Sequence, residues 1–550
     1  IAFSAVNALT LSPALCAVLL KPHTEHGDKK TTFVQRFHMG FNAAYDKLLD
    51  KYKGYIKFFI KAKTLVVGLV IGAIVLLVWL MGSTPTALVP DEDTGTIFCV
   101  VDMPPATSQE RTGQLLDQVD EIISRIPAVD TRVLVNGYSF VAGQGATYGT
   151  FIIKLKNWEE RSAEESSTKI IQQLYGIVGQ EVKDGRVMFF APPMIPGYSV
   201  TNGFSLQLLD KTGGDINKFF EIAQGFLAKL NQQPEIQMAY TTFNPSFPQY
   251  LVDVDVAKCK QAGVSPSTVL STLQGYYGGM YVSNFNRFGK LYRVMMQALP
   301  ETRVSPETLN KIKVRSGSEM APITSFVKLT KVYGPDLLNR FNMYQTISVN
   351  GTPNEGYSSG DAIAAIERVA AETLPQGFGF EYSGMTREEK SSSGSATAII
   401  FGLCILFVYL LLSAQYESYI LPLAVILSVP FGLMGTFIFA NMFDVTNNIY
   451  LQIALIMLIG LLAKNAILIV EFAVERRRTG MSIVNAAVAG AAARLRPILM
   501  TSLAMIVGLL PLMLASGAGA NGYNALGTGS VGGMLIGMIF QILVVPTLFV

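Results

Sequence analysis

Apolar and polar stretches alternate along this chain, and the lengths of the apolar runs predict where it crosses a membrane. A membrane-spanning helix needs roughly 20 consecutive, mostly apolar residues. Seven runs approach or reach that length, at residues 1–20, 64–81, 396–413, 420–440, 449–473, 497–515 and 527–550. Because the chain starts and stops inside such runs, we expect it to be a piece of a longer protein whose first and last segments are clipped.

The polar stretch at residues 82–395 has the periodicity of a soluble α+β domain. Its first part predicts helices at residues 108–126 and 163–182, where apolar residues recur at helical spacing, together with four strands. These strands are predicted at residues 96–103, 131–136, 150–156 and 186–191. The order β-α-β-β-α-β is the split βαβ arrangement of ferredoxin-like domains.

A second copy of this unit is predicted after the first. Its strands and helices are predicted at residues 204–209, 215–232, 236–243, 327–333, 346–349, 359–374 and 378–382. Residues 244–324 interrupt the copy and carry their own helix at residues 265–277 and a glycine-rich hairpin at residues 278–289. We therefore interpret residues 244–324 as an inserted subdomain.

The composition supports a membrane protein with a large soluble part. Half of the 550 residues are apolar, only 15% are charged, and the mean hydropathy is +0.37. The net charge of +3 does not indicate a nucleic-acid partner. With four cysteines, no Cys-x-x-Cys motif and only three histidines, the sequence predicts no disulfide framework, no metal site and no cofactor.

Basic residues orient the predicted membrane segments. The connections after the first and fifth runs are rich in Lys and Arg, whereas residues 441–448 and 516–526 carry neither. Since basic loops stay in the cytoplasm, this asymmetry places residues 82–395 on the outer side of the membrane, which in a bacterial protein is the periplasm. Residues 33–60 mix aromatic residues with lysines, and two interpretations stay open, an amphipathic helix on the inner leaflet or a polar linker helix.

One cation interrupts the fifth apolar run. Lys464 has apolar neighbours for several helical turns before it and for about two turns after it. A charge near the middle of a spanning helix costs about 3 kcal/mol on insertion scales. A lysine that extends toward the headgroups is one interpretation. We favour a buried, paired and functional lysine, because the apolar stretches on both sides are long.

Six motifs along the chain resemble one family of transporters. They are Leu-Ser-Pro-Ala-Leu-Cys at residues 11–16, Val-Pro-Asp-Glu-Asp-Thr-Gly at 89–95, Asn-Gly-Tyr-Ser-Phe at 136–140, Gly-Leu-Leu-Ala-Lys-Asn-Ala-Ile-Leu-Ile-Val-Glu at 460–471, Arg-Leu-Arg-Pro-Ile-Leu-Met-Thr-Ser at 494–502 and Gly-Thr-Gly-Ser-Val-Gly-Gly at 527–533. Together they resemble the resistance-nodulation-division (RND) efflux transporters, of the AcrB-like type that exports hydrophobic and amphiphilic compounds. The resemblance runs along the whole chain but covers only the C-terminal half of a typical member.

This resemblance implies an α-helical membrane bundle joined to an α+β periplasmic domain of ferredoxin-like porter subdomains with an inserted docking subdomain. The implied parts are the end of the sixth membrane helix at residues 1–20, a cytoplasmic linker at 21–63, a membrane helix at 64–82, a first porter subdomain at 83–200, a second at 201–243 and 325–390, the docking subdomain at 244–324 and five membrane helices at 391–550.

The resemblance also implies a proton relay of Lys464, Asn465, Arg494 and Thr501. From spacing alone, Arg494 and Thr501 share a helix face, and a threonine can hydrogen-bond a lysine or a carboxylate. Arginines at a cytoplasmic helix end are also expected as simple anchors, and we interpret Arg496 in this way. The family's relay carboxylates lie on its fourth helix, which we do not expect in this chain, and no Asp or Glu lies deep in the apolar runs.

Aromatic residues of the first α+β unit are the candidates for substrate contact. The resemblance implies a gate between two pockets at the glycine-rich loop predicted for residues 136–147. Aromatic side chains can line an adaptable apolar pocket, although those on strands are alternatively core residues. Strand alternation sends only one of Phe189 and Phe190 to the core. The candidates are Tyr138, Phe140, Phe151, Ile152, Phe189 and Phe190.

We therefore expect a proton antiporter, not an enzyme, that exports drugs, detergents or dyes from the bacterial inner membrane. The implied partners are a homotrimer, a periplasmic adaptor, an outer-membrane channel, hydrophobic substrates and the lipid bilayer. The acidic run at residues 91–93 is interpreted as a solvated cap near the family's entrance cleft. Two alternatives stay open. A metal-ion exporter of the same superfamily would show Met or His clusters, and a protein-translocation accessory would lack the insertion at residues 244–324.

Overall fold

The computed structural model describes residues 6–19, 33–199, 201–354, 356–392 and 395–550. In chain order, the α-helices are α1 Ser12–Leu19, α2 Phe33–Lys61, α3 Lys63–Ser83, α4 Gln109–Ser124, α5 Ser167–Glu181, α6 Ile216–Leu230, α7 Val256–Gln261, α8 Pro266–Leu273, α9 Ser359–Thr373, α10 Gly384–Ser392, α11 Ser395–Tyr416, α12 Leu421–Ile426, α13 Val429–Met442, α14 Ile449–Arg478, α15 Ile483–Met513 and α16 Ala520–Phe549. The strands are β1 Thr96–Asp102, β2 Val129–Ser139, β3 Gly143–Leu155, β4 Arg186–Phe190, β5 Phe204–Asp210, β6 Ile236–Tyr240, β7 Phe247–Val254, β8 Met280–Arg287, β9 Lys290–Met296, β10 Lys313–Ser316, β11 Glu319–Pro322, β12 Val327–Gly334, β13 Asn339–Phe341, β14 Tyr344–Pro353 and β15 Phe378–Tyr382.

Among the described residues, six helical segments are long and apolar enough to cross a membrane. They are α3, α11 from Ile399 onward, α12 together with α13, α14, α15 and α16. These segments correspond to the second to seventh predicted runs. Of the first run, residues 6–19 form a short apolar helical stretch that includes α1. The rest of that run and residues 21–32 of the predicted linker lie outside the described residues.

The predicted segment at residues 420–440 consists of two helices, not one. Pro430 causes the break between α12 and α13, because proline has no N–H to donate and its ring excludes the carbonyl four positions earlier. Ser428 is fully buried at this break, and its hydroxyl donates to the carbonyl of Val425 at 2.6 Å. That bond helps to satisfy backbone groups which have no water to bind inside a membrane.

Two helices begin earlier than hydrophobicity alone predicts. α16 begins at Ala520, not near residue 527, and α15 begins at Ile483, not near residue 497. Ser482 caps α15 by accepting a hydrogen bond from the N–H of Asn485. Burial in α15 begins at small residues such as Ala486, Ala487 and Gly490, whose hydrophobicity is weak although they pack tightly.

α16 packs against α13, α14 and α15 in the described bundle. Its glycines allow a close approach to α14. A Cβ atom at Gly533 would lie 2.3 Å from the side chain of Leu458, and one at Gly537 would lie 2.6 Å from that of Leu462. Both leucines belong to α14. The two helices are therefore in direct contact at both glycines.

The first sheet is antiparallel and has the strand order β2-β3-β1-β4. The elements follow the predicted order, β-α-β-β-α-β. Helices α4 and α5 cover one face of the sheet through a core that includes Ile97, Leu116, Phe151 and Leu174. Alternate residues of β1 and β3 point into this core, which leaves the other face for contacts outside the unit.

The second sheet has the strand order β13-β14-β5-β15, with β6 also paired to β14. Helices α6 and α9 cover one face through a core that includes Phe204, Phe226 and Ile366. The strand predicted at residues 327–333 does not join this sheet. It forms β12, which pairs with β7 in a two-stranded ribbon. Alternation within a strand does not reveal which strand it pairs with. The prediction that β12 belongs to the second sheet was therefore wrong.

The β7–β12 ribbon leads into the inserted region. There β8 and β9 form a hairpin whose side chains are mostly exposed. Helices α7 and α8 pack with β10 around a small core that includes Cys259, Leu273 and Val314. The inserted region therefore has a core of its own, separate from the cores of the two larger sheets.

Candidate functional site

Lys464 lies midway along α14. Among the residues that the structure describes, none covers its side chain, which is exposed. It makes no hydrogen bond or ion pair with any residue that the structure describes. Both the burial and the partner expected for this lysine therefore stay predictions.

Asn465 is buried and links α14 to α15. Its Nδ2 donates a hydrogen bond of 3.0 Å to Oγ of Ser502. Lys464 precedes Asn465 and Thr501 precedes Ser502, so this bond joins the two helices next to both candidate residues. Thr501 is exposed, and its hydroxyl donates to the Pro497 carbonyl of its own helix at 3.0 Å.

Arg494 lies against an aromatic ring of the neighbouring helix. Its guanidinium carbon is 4.9 Å from the ring centroid of Phe472 on α14, a cation–π distance. Its Nε is buried without a hydrogen-bond partner among the described residues. Arg496, which the sequence suggests as an anchor, is exposed and lies 5.5 Å from the ring of Tyr45 on α2.

Sequence reasoning missed a second buried polar group beside α14. Gln541 of α16 is fully buried, and its Nε2 donates to Oγ of Ser428 at 3.0 Å and to the carbonyl of Leu462 at 3.1 Å. These bonds join α16, the α12–α13 break and α14 two residues before Lys464. A lone glutamine within an apolar run was the signal that could have identified this group.

The strand register divides the predicted aromatic residues between the two faces of the first sheet. Phe151 and Phe189 lie in one row across β3, β1 and β4, with their side chains in the core under the helices. Ile152 and Phe190 lie in the next row, with Phe98 between them. Phe190 belongs to a different apolar cluster on the opposite face. Phe151 and Phe189 are therefore core residues and do not line a surface shared with Phe190.

Four rings on the face away from the helices form what we call the aromatic patch, namely Phe98, Tyr138, Phe140 and Phe190. The ring centroid of Phe98 is 4.9 Å from that of Phe140 and 6.0 Å from that of Phe190, and Tyr138 lies 5.6 Å from Phe140. Tyr240 of β6 packs against the same cluster, so the patch lies between the two sheets. The sequence analysis missed Phe98, although alternation in β1 could have placed it beside Phe190.

The predicted loop at residues 136–147 is a β-hairpin with a short turn. β2 continues to Ser139, and only residues 140–142 form the turn. Oγ of Ser139 accepts hydrogen bonds from the N–H groups of Val141 and Ala142, both at 3.2 Å. Side-chain bonds of this kind fix a turn locally, so the segment is more ordered than its glycine content predicts.

A cavity of about 830 Å³ opens beside this turn, between the first and second sheets. Val141 and Ala142 line it on one side, and Gln207 and Thr346 line it on the other. A volume of this size suits a drug-sized ligand. Because Val141 also packs against the cluster of Phe190, the turn lies between the cavity and the aromatic patch.

The wall of the cavity carries charges of both signs. Asp102 and Arg186 form an ion pair of 2.7 Å there, and Lys183 and Asp336 also line the space. Burial raises the pKa of the Asp102 carboxyl, while the charge of Arg186 acts in the opposite direction. The cavity therefore offers polar contacts next to the apolar surface of the patch.

The acidic run at residues 91–93 connects the membrane bundle to the two sheet units and is not merely a solvated cap. The carboxylate of Glu92 accepts hydrogen bonds from the backbone N–H groups of Asn521 at 3.3 Å and Gly522 at 2.8 Å, at the start of α16. Nδ2 of Asn521 donates to the carbonyl of Asp91 at 2.6 Å. A carboxylate in this position stabilises a helix N-terminus.

Asp93 attaches the other side of the acidic run to the first sheet unit. Its carboxylate accepts hydrogen bonds from the guanidinium of Arg161 at 3.1 Å and from the N–H of Ser167, at the start of α5, at 2.8 Å. Burial disfavours the charged form, but the N–H groups of Ser167 and Gly95 and the charge of Arg161 hold the pKa of Asp93 below its usual value. Residues 91–93 therefore form a charged and hydrogen-bonded connection, which we call the acidic junction.

Two methionines of the first sheet unit bear on the metal-exporter alternative, and they lie on opposite faces of its sheet. Met103 lies in the core of the unit, whereas Met188 lies on the opposite face beside Phe190. Within the described ranges, no group of three or more His, Cys, Asp or Glu residues could hold a metal ion. The four cysteines are free.

Comparison with known proteins identifies the family. The whole chain, residues 1–550, matches the model of the AcrB/AcrD/AcrF family. The chain belongs to this family. Three members of the AcrB/AcrD/AcrF family illustrate the similarity. The multidrug/solvent efflux pump membrane transporter MepB of Pseudomonas putida is 38% identical over 556 residues, covering 100% of this chain and 52% of that protein.

The same figures hold for the toluene efflux pump membrane transporter TtgB, also of Pseudomonas putida. The multidrug export protein AcrF of Escherichia coli K12 is 35% identical over 561 residues, covering 100% of this chain and 53% of that protein. The chain thus spans about half the length of the curated relatives that it matches. The RND resemblance predicted from the motifs is confirmed, and these AcrB/AcrD/AcrF relatives are efflux transporters.

Proposed function

We propose that this chain works, within a transporter of its relatives' length, in the proton-driven export of hydrophobic and amphiphilic compounds across the bacterial inner membrane. The position of Lys464 carries the proposal, because this cation lies midway along a helix long enough to span a membrane. An ionisable group at this depth is costly and is typical of an ion pathway. The names of the relatives, which refer to drugs and solvents, support organic compounds as the cargo.

In this mechanism Lys464 pairs with a carboxylate supplied by the rest of the transporter. When that carboxylate takes up a proton, Lys464 turns to the hydroxyl of Thr501; the Asn465–Ser502 bond, which joins the two helices beside these residues, supports this step. Inward movement of a proton releases about 2.3 kcal/mol per charge at 100 mV. Arg494, stacked on Phe472, closes the relay on the cytoplasmic side.

Substrates enter the polar cavity and reach the aromatic patch past the turn at residues 140–142. Tyr138, Phe140, Ile152 and Phe190 then supply the apolar contact surface. Burying a large apolar side chain contributes about 1.5–3 kcal/mol. Phe151 and Phe189 support these residues from the core side of the sheet, because the register places them in the adjacent row.

The acidic junction carries movement from the membrane to the cavity. A shift of α14 during the proton cycle displaces α16, because the two helices are closely packed at Gly533 and Gly537. Glu92 transmits this displacement, since it holds the N-terminus of α16. Asp93 passes it on to the first sheet unit through Arg161 and Ser167. The two sheets then change their spacing around the cavity.

The family membership supports a further assignment of parts. In this proposal the two sheet units are ferredoxin-like porter subdomains in the periplasm, and the inserted region is the docking subdomain. The transporter assembles as a homotrimer with a periplasmic adaptor and an outer-membrane channel. The element order of the first unit and the separate core of the insertion support this division.

Export assays in cells that lack other pumps test the proposed function. We expect Lys464→Ala, introduced into the full-length transporter, to abolish resistance to a panel of hydrophobic drugs at normal protein abundance. Arg496→Ala, at a cation that rests on Tyr45 away from the relay, is the matched control and should retain resistance. Equal resistance of the Lys464→Ala variant and the wild type would rule out the relay.

A further inference from the structure

A groove at the start of the membrane bundle has no part in the proposed transport path. It measures about 780 Å³ and runs between α2 and α16. The groove is lined by Lys51, Gly54, Tyr55, Phe58, Phe59 and Leu543. Five of these six residues belong to α2, and all but Lys51 present apolar or aromatic surface.

The groove is a fixed feature of the packing. The hydroxyl of Tyr52 donates a hydrogen bond to the carbonyl of Ile542 on α16 at 2.5 Å. Ile56, on the same face as Tyr52, is fully buried against the bundle. At Gly54 no atom lies within 4 Å of the position that a Cβ would occupy, so the absence of a side chain there keeps the space open.

The surface around the groove is basic. Residues 45–61 of α2 carry five lysines against two aspartates. Lys53 pairs with Asp50 at 3.2 Å. Lys51 lines the groove itself and makes no ion pair with any residue in the described ranges. A cation at the mouth of an apolar groove matches a ligand that combines a negative head with an apolar tail.

The groove continues into the surface of a membrane-spanning helix. α2 ends at Lys61 and α3 begins at Lys63. The first turns of α3 expose apolar side chains such as Leu65 and Val67. Tyr55 and Phe58 are 57% and 58% exposed at the rim of the groove, two turns before this point. Aromatic rings and lysines at the end of a spanning helix are typical of the headgroup level.

We propose that this groove binds an anionic glycerophospholipid. Its phosphate contacts Lys51, and one acyl chain lies along Gly54, Phe58 and Leu543. A lipid is favoured over a protein helix because the groove opens onto the apolar surface of α3, where lipid is already present, and because the lysines match the negative charge of the cytoplasmic leaflet. The lipid fixes the position of α2 against α16. This inference rests on the geometry of the groove and is independent of the transport mechanism.

Native mass spectrometry of the purified full-length transporter tests the inference. The protein is incubated with dioleoyl phosphatidylglycerol or dioleoyl phosphatidylcholine, which share acyl chains and differ in headgroup charge. We expect the phosphatidylglycerol adduct to be retained at least about fivefold more, because one lysine contributes about that factor near an anionic lipid. Lys51→Glu should remove the preference, whereas Lys57→Glu, which makes the same charge change on α2 outside the groove lining, should keep most of it.

A second pair of variants tests the groove without changing charge. Gly54→Leu fills the space and should reduce lipid retention at least about fivefold. Gly40→Leu is the matched control, because Gly40 lies on the same helix and a Cβ atom there would also meet no atom within 4 Å. Equal retention of the two lipids, or equal retention by the two leucine variants, would overturn the proposal. Gel filtration checks that all variants remain assembled.

Discussion

Glu92, in the segment that leads to the first sheet unit, and Gly522, in the membrane bundle, are joined by a direct hydrogen bond. The carboxylate of Glu92 accepts a hydrogen bond of 2.8 Å from the backbone N–H of Gly522 in the first turn of α16. Because Asp93, the next residue, is bonded to Arg161 and Ser167, the same short segment holds the first sheet unit. The segment therefore links the N-terminus of α16 to that unit, as the proposed transmission of movement requires.

We expect Glu92→Ala to weaken this connection. The variant loses a helix cap, which is worth about 0.5–2 kcal/mol, and should lower both the apparent melting temperature and the export rate of the purified transporter. Glu92→Gln keeps one acceptor oxygen and should fall between Glu92→Ala and the wild type. Glu388→Ala, at an exposed glutamate of α10, is the control. Unchanged export by Glu92→Ala would contradict a coupling role for the junction.

Phe189 and Phe190 are neighbours in sequence, but we expect different phenotypes when each is replaced by alanine. Phe189→Ala opens a cavity in the core and should cost about 3–5 kcal/mol, which lowers protein abundance and resistance to all compounds together. Phe190→Ala should instead change the spectrum of exported compounds, with a roughly ten- to hundredfold loss in binding of large ones. The measurement is a panel of inhibitory concentrations with abundance checked.

Phe140→Ala gives a second test of the patch, because Phe140 is only half-buried and its truncation disturbs the core less. It should resemble Phe190→Ala. If Phe140→Ala and Phe190→Ala both reproduce the uniform loss of Phe189→Ala, the patch is structural and does not bind substrate.

Glu389 gives a pH-dependent prediction at the junction. It is 8% exposed on α10 and accepts a hydrogen bond from Oγ of Ser359 at 2.6 Å. Burial raises the pKa of Glu389, the charge of Asp91 raises it further, and the bond from Ser359 opposes both. The folded protein therefore holds this proton to a higher pH than the unfolded chain. The resulting stability is fully present below the unfolded pKa and is lost as the pH rises through the folded one.

Glu389→Gln mimics the protonated acid, so it should raise the apparent melting temperature at about pH 7.5 and give little gain near pH 4.5, close to the ordinary glutamate pKa. Glu388→Gln, at the exposed neighbouring residue, should change neither value. Melting curves of the purified protein at both pH values measure the effect. A gain of the same size at both pH values would show that the charge of Glu389 is not the cause.

The orientation of the chain is testable with reporters that are active only in the periplasm. A fusion after Gly82, where the polar stretch with the two sheet units begins, should be active. A fusion near Asn447 should also be active, because the connection there carries no basic residue. Fusions near Arg478 should be silent, since three consecutive arginines end α14. The inverted pattern would place both sheet units in the cytoplasm.

Much of the fold follows from periodicity, because each long helix and each strand of the first unit buries one regular face. Helix starts were harder to predict. Ser482 and Asn485 begin α15 through a cap, and the small residues after them are buried without being strongly apolar. Strand pairing was also hidden, as β12 shows, since alternation fixes the buried face but not the neighbouring strand.

Part of the candidate site was likewise predictable from the sequence, and part was not. Alternation correctly predicted that Phe189 and Phe190 point to opposite faces, and the same rule could have placed Phe98 beside Phe190. The Glu92–Gly522 bond joins residues 430 positions apart in sequence. A contact of that kind depends on how two domains dock, so neither spacing nor composition could have indicated it.

Transport by the full-length protein in proteoliposomes tests the central claim most directly. An imposed pH gradient should drive movement of a fluorescent amphiphile by the wild type, together with a counterflow of protons that a trapped pH indicator records. Lys464→Ala should lose both fluxes while still binding the amphiphile, because the cavity and the aromatic patch lie between the two sheets and not in the membrane bundle. Coupled dye and proton fluxes in Lys464→Ala that equal those of the wild type would contradict the account.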